Sequence, residues 1–544
     1  MTIKAHIVDV LNRNLYDGEL LIGDGKILSV NRLSNLSADA PYILPGFVDS
    51  HVHIESSMLL PEEFGNIAIK HGTVAAVCDP HEIANVLGVE GIDFMIENSK
   101  RSPLHFFFAA PSCVPSTSFE TSGAVLDSKA ILSLMQRDDI YALGEVMNAV
   151  GVLNDDAEVW TKIRAAHSTN KPIDGHAPLL SGEDLKKYVS AIISTDHECT
   201  SIAEAEEKLS LGVSILLRSG SAANDFRNLM SLLATHQEKL MFCSDDKHPD
   251  DLLTGHINLM VKQALAAGYP IWNILRAACV EPVLHYKLPV GLLQSGQNAD
   301  FIVVDNLEHF NIVETYISGK PVQVSSDIAT TKTCDIRPNN FHRAHICEDE
   351  LVVMAEGSQM KVIESFGNSI ITRNLLINPK CDSNNRVAPD VSRDVLKIVV
   401  VNRYDQSAPP QMAFIKGFGL KRGAIASTIA HDSHNLIAVG CDDTSLVNVL
   451  NCLIDSKGGI AVCYDDNIDI LQLPIAGLMS PLSAVEVATA YQRINNRVHT
   501  LGSQLNAPFM TLSFMALPVI PHLKITDKGL FDGDVFSFTS LFQS

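Results

Sequence analysis

The segment PGFVDSHVH, residues 45–53, sets His51 and His53 one residue apart at the end of an apolar run. Residues two apart on a strand share a face, so both imidazoles can reach one cation. A lone histidine at a strand end is ordinarily a satisfied polar residue, and His71, His105, His167 and His236, which fall away from run ends, are read that way. His51 and His53 differ because they have company. Asp79 with His81, then Glu145, His176, His197, and Asp245 with Asp246 each close a further apolar run, in chain order. A carboxylate shared by two divalent cations, with imidazoles from neighbouring strands, holds the ions a few ångströms apart and lowers the pKa of a water between them toward neutrality. Hydrolysis is the chemistry such a set performs.

The elements that must position these groups are eight short, nearly continuous apolar runs: YILPGFVDSHVH, TVAAVCDPH, HFFFAAPSCVP, YALGEVMN, PIDGHAP, AIISTDHE, VSILLRSGS and LMFCSDD. Runs of this kind fit strands buried on both faces of a parallel sheet, and helix-like stretches such as GVEGIDFMIENSKR and AEAEEKLSLG alternate with them. The pattern predicts an α/β chain with a (β/α)8 TIM-like barrel over residues 44–289, whose reactive groups gather at the C-terminal strand ends. Residues 1–43 and 290–335 carry alternating β text, including a Gly-Asp-Gly hairpin signal in GELLIGDGKILSV, and are expected to pair as a small split β-sandwich domain. Residues 340–544 mix strand-like and helix-like text and are expected to form a C-terminal α+β domain, with NPKCDSNNRVAPDVSRD as a loop.

A chain of 544 residues exceeds what one core supports, and 46% apolar with 19% charged residues describes a folded enzyme rather than a disordered one. The net charge of −22, without a Lys/Arg-rich run, argues against nucleic acid as a partner. No apolar run approaches the ~20 residues of a membrane-spanning helix, and the N-terminus lacks the charge and apolar order of a signal peptide. Eleven scattered cysteines without a CxxC suit reduced thiols, so a cytoplasmic protein is expected. A homodimer fits a multidomain cytosolic enzyme, though no residue dictates it.

EAEEK reads as a solvated helix face, LLIGDGK as a turn without the GKS/GKT context of a phosphate loop, and Cys243 as a buried strand thiol. His431 and His434 in AHDSHN are a loop-cap network or a pair reaching over the barrel mouth; Glu55 to Ser57 either line the pocket or cap a loop.

The pattern resembles the amidohydrolase superfamily, and more closely its adenine deaminase branch. PGFVDSHVHIESSM, CDPHEIANVLG, GEVMN, DGHAP, TDHE, SDDKHPDDLLTGHIN and KGFGLKRGAIASTIAHDSHN look like that family's landmarks and span nearly the whole chain. The resemblance implies hydrolytic deamination of adenine to hypoxanthine and ammonia, in purine salvage, by a binuclear manganese or iron centre. Carried over residue by residue, it implies that His51 and His53 bind one metal, His176 and His197 the other, Glu145 bridges, and Asp245 completes the site. Glu145 on the fourth run, where no lysine stands, separates the chain from the branches that bridge with a carboxylated lysine. Asp245 is the expected base that moves a proton from water to the ring or the leaving amine, beside Glu145. Asp79 and His81 are read as substrate-binding, with proton steering or a further ion left open.

Two other readings stand. An N-acetyl-sugar-phosphate deacetylase with the same site chemistry would want a cation for phosphate, and Arg218 is the clear basic residue at a run end. An inactive barrel with an assembly role would be expected to have lost ligands, and none is missing here.

Overall fold

The computed structural model describes residues 1–221, 223–322, 336–367, 369–465 and 467–543. The end of the second flanking segment, 323–335, with the last residues of VETYISGKPVQV and Cys334, lies outside the described residues. The chain is mixed α/β. Its first strands are β1 (Thr2–Asp9), β2 (Asn14–Gly23), β3 (Lys26–Arg32) and β4 (Tyr42–Pro45). The β2–β3 turn is the Asp24-Gly25 pair, both with positive φ (52° and 77°), the geometry that matches the twist of a tight hairpin.

Eight parallel strands follow: β5 (Phe47–Val52), β6 (Thr73–Cys78), β7 (His105–Ala110), β8 (Ile140–Val146), β9 (Ile173–Gly175), β10 (Thr195–Asp196), β11 (Ser214–Arg218) and β12 (Leu240–Cys243). One sheet runs β5-β6-β7-β8-β9 and another β10-β11-β12, each in chain order. Nearly every residue in these strands is buried, which explains why their sequences do not alternate. Helices such as Pro61–Lys70, Ala157–Thr169 and Ile202–Ser210 join them; Ser201 caps the last of these by accepting from the Glu204 amide at 3.3 Å. At one edge the Ser194 amide donates to Ile173 O at 2.9 Å; at the other the Asp245 amide donates to His51 O at 3.0 Å.

The text YILPGFVDSHVH, read as one run, divides at Gly46. Tyr42–Pro45 belongs to the first sheet and Phe47–Val52 to the next. A Cβ on Gly46 would stand 2.2 Å from Val74 Cγ1, so only glycine lets the chain cross there. The first sheet is completed from beyond the parallel strands by β13 (Phe301–Val304), β14 (Ile312–Ile317) and β15 (Lys320–Pro321), in the order β15-β14-β13-β4-β1-β2-β3. Both flanks therefore meet in one sheet, with Leu44 paired to Ile302.

The C-terminal part is built on a mixed sheet with β16 (Gln359–Phe366), β17 (Ser369–Ile377), β18 (Leu396–Val401), β19 (Gln411–Lys416), β20 (Ala424–Ser427), β21 (Leu436–Gly440), β22 (Gly459–Tyr464) and β23 (Asn467–Gln472), in the order β17-β16-β19-β18-β21-β20-β22-β23. The helix Ala484–Thr500 starts at a capping box in which Ser483 and Glu486 satisfy each other's amides. One apolar cluster runs from Val8 through Phe108 and Leu240 to Leu530, so this part packs directly on the parallel strands.

Candidate metal centre

Every polar residue picked out at a run end lies at or just beyond the C-terminal end of its strand, and those ends converge. His51, His53, Glu145, His176, His197 and Asp245 are 1–8% exposed. Nε2 of His51 and Nε2 of His53 are 3.1 Å apart, and Asp245 Oδ1 stands 3.6 Å from the first and 3.1 Å from the second. Glu145 sits between two groups of histidines: Oε1 is 3.3 Å from His53 Nε2, while Oε2 is 2.7 Å from His176 Nδ1 and 3.2 Å from His197 Nε2. The His51 and His197 rings stack at 4.2 Å, which closes the group on its remaining side.

The residues fit divalent cations. His51 with His53 and Asp245, and His51 with Glu145 and His197, are sets whose donor atoms all lie within 4.8 Å of one another. The donors are nitrogen and carboxylate oxygen without a thiolate, which suits manganese, iron or zinc. His53 Nδ1 donates to Asp79 O at 2.9 Å, fixing the tautomer that leaves Nε2 free as a ligand. The buried His176 Nε2 has no hydrogen-bond partner.

The electrostatics divide the histidines: the neighbouring carboxylates outweigh burial and raise His53, His176 and His197 above the ordinary histidine range, whereas His51 lies below it. Burial, with His197 and His53 close by, holds His51 well below the ordinary histidine range, so it presents a lone pair. Burial acts to raise Glu145, yet the charges of His176 and His197 overcome it and keep the carboxylate well below its usual range. Asp245 is likewise held down against burial by the His53 hydrogen bond and by Arg218, whose Nη1 donates to Oδ2 at 2.9 Å. Asp245 has φ 53°, a conformation rare outside glycine, imposed where its carboxylate turns into the centre.

Asp79 does not line the central cavity. Its Oδ2 accepts from the Glu145 amide at 2.9 Å and so positions that residue. His81 does line it, with Nδ1 3.4 Å from Glu145 Oε1. Asp246 is engaged by the Ser56 hydroxyl, Glu55 accepts from the Ile83 amide, and Ser57 donates to Ile54 O; this stretch forms a buried turn. Cys243 is buried and its thiol is pushed well up by burial, so it is no nucleophile.

Two features escaped the sequence, and a third, the reach of AHDSHN, was one of two readings it left open. Glu198, directly after His197, joins His176 and His197 as a third potential donor; its only signal was an acid following a ligand histidine in TDHE. Arg218 is enclosed by Glu198, Asp225 and Asp245, and among the described residues no lysine or arginine lines the cavity at the centre. The AHDSHN segment crosses from the C-terminal part to the parallel strands: His431 Nδ1 lies 2.7 Å from Glu82 Oε1, and His434 contacts the other oxygen. A neighbouring cavity of about 360 Å³ shares Glu198, Ile370 and Ile520 with the centre.

Residues 42–322 match the family described as "Amidohydrolase family", and residues 369–537 match "Adenine deaminase C-terminal domain". The chain is 46% identical over 542 residues to an adenine deaminase of Parabacteroides distasonis, covering 100% of this chain and 99% of the relative. It is 47% identical over 547 residues to adenine deaminases of Borreliella burgdorferi and Methanosarcina acetivorans, covering 98% of each chain. Among solved structures, the N-acetyl-D-glucosamine-6-phosphate deacetylase of Mycobacterium smegmatis is similar at 15% identity and a TM-score of 0.46, over 59% of this chain and 99% of that one. A β-aspartyl dipeptidase of Fervidobacterium islandicum follows at 18% and 0.45, over 59% and 96%.

Proposed function

We infer that this chain, which belongs to the amidohydrolase family and within it to the adenine deaminases, hydrolyses adenine to hypoxanthine and ammonia. The observation that carries the reading is the 46% identity to an adenine deaminase over the whole chain, the C-terminal part included. In the cell the activity belongs to purine salvage, and free cysteines suit a cytoplasmic setting.

In this reading the eight parallel strands close into a (β/α)8 barrel, with the seven-stranded sheet as its flanking domain. His51, His53 and Asp245 would hold one cation and His176 and His197 another, with Glu145 available to both. Such a pair, manganese or iron, supplies Lewis acidity and brings the pKa of water toward neutrality. Asp245, held by Arg218 through one oxygen, takes the proton of the attacking water with the other and returns it to the ring nitrogen or the departing amine. Glu145, held well below the usual carboxylate range by His176 and His197, stays ionised beside the centre. The 360 Å³ cavity, walled by Ile370, Ile371 and Ile520 and edged by Asn224, Asn228 and Asn506, offers apolar faces and amide partners to a flat base.

A sugar-phosphate substrate is disfavoured because Arg218 is already surrounded by three carboxylates. The test is a panel of adenine, adenosine, guanine and 6-chloropurine, followed by ultraviolet change with added manganese, beside acetate release from N-acetylglucosamine 6-phosphate. Adenine alone should yield ammonia. Turnover of adenosine without adenine, or release of acetate, would sink the assignment.

A further inference from the structure

We propose that the chain binds an additional divalent cation between its two halves, held by His81 and Glu82 after β6 and by His431 and Asp432 after β20. The argument is geometric. Nε2 of His81 lies 3.4 Å from Glu82 Oε1 and 3.9 Å from Asp432 Oδ1, and Nδ1 of His431 lies 3.7 Å from Asp432 Oδ1 and 2.7 Å from Glu82 Oε1. Ligands about 2.0–2.2 Å from a tetrahedral ion stand roughly 3.3–3.6 Å apart, so the separation of His81 from Glu82 matches an edge of a coordination shell, those to Asp432 are slightly longer, and His431 stands at hydrogen-bond distance from Glu82. Donor atoms of His81, Glu82 and Asp432 all fall within 4.8 Å of one another.

Burial and unmet bonding point the same way. His81, Glu82, His431 and Asp432 are only 2–4% exposed. Among the described residues, Glu82 Oε1, one of the atoms measured above, is buried without a partner in hydrogen-bond geometry, as are Asp432 Oδ2 and His431 Nε2, the second atoms of their groups. Native structures seldom leave such atoms unsatisfied unless an ion or water belongs there. Glu82 and Asp432 place two carboxylates in a cavity that no lysine or arginine among the described residues lines, and a divalent ion would balance that charge.

A supporting residue holds the carboxylate in place. Nδ1 of His434 accepts from the Ala430 amide at 3.3 Å, which leaves the proton on Nε2, the nitrogen that faces Glu82. The ion would act as a staple between the barrel strands and the C-terminal sheet. It would also fix the His81 ring, whose other nitrogen stands 3.4 Å from Glu145. The donors, two imidazoles and two carboxylates, suit a first-row ion such as manganese or zinc. The proposal does not depend on which substrate the enzyme deaminates.

Crystals of the full chain, grown from protein expressed with manganese and with iron chelated, test it by anomalous diffraction at the manganese edge. A peak among Glu82, His431 and Asp432, separate from density beside Glu145, is expected. Density beside Glu145 with none at Glu82 overturns the proposal. Metal analysis gives a second arm: His431→Asn and Asp432→Asn, each checked for folding by its melting transition, should retain one ion fewer per chain than wild type. Equal metal content in folded variants and wild type would count equally against it.

Discussion

Asp245 faces two demands, since one oxygen meets His53 and His51 while the other is held by Arg218. Asp245→Asn keeps the shape but cannot accept a proton, so kcat for adenine should fall by ~10²–10⁴-fold while part of the metal remains. Near wild-type turnover in that variant would remove Asp245 from proton transfer. Lys524 poses a different question at the same scale. Its amine is fully buried, donates to Ile370 O at 2.8 Å and Phe514 O at 3.0 Å, and burial pushes it from 10.5 down to about 7. Between those values the folded chain binds fewer protons than the unfolded chain, so this residue makes stability rise with pH across that window. Lys524→Met removes the contribution. The wild-type minus variant difference in urea stability should therefore grow from about pH 7 to about pH 10, and a difference independent of pH would contradict the mechanism.

Elements decide how accurately such residues are held. On β8, a Cβ at Gly144 would stand 2.2 Å from Asp79 Oδ2, the atom that accepts from the Glu145 amide. Gly144→Ala should cost ~1–3 kcal/mol by overpacking and also loosen the metals, read as faster loss to a chelator at a temperature where the variant is still folded. Metal retention equal to wild type would show that Asp79 is not needed to position Glu145. These strands were legible because burial on both faces writes continuous apolar runs, and the polar residue ending each run marks the mouth. The break at Gly46 was not legible, because it depends on Val74 from the next strand. Nor could Arg218 be read from its own neighbourhood, where it resembles a free cation; its partners Glu198 and Asp245 come from adjacent strands.

Across the whole molecule, the contact of Glu82 with His431 joins segments that nothing local in the sequence connects, so AHDSHN stayed ambiguous until the C-terminal sheet was set against the parallel strands. The shared apolar cluster packs the two parts against each other, and they are expected to unfold together. Trp160 and Trp272 both lie in the segment that carries the parallel strands, so denaturation followed by their fluorescence should coincide with the far-ultraviolet dichroism of the full chain. Two separated transitions would show that the cluster does not couple the halves. The pairing of Leu44 with Ile302 has a further effect, felt during synthesis. At roughly 5–20 residues per second, a ribosome takes on the order of tens of seconds to deliver the second strand after the first. For that interval the β4 edge of the nascent chain waits without its neighbour, open to other chains emerging nearby. Slowed translation before residue 301 should therefore favour aggregation of this protein more than slowed translation after β15.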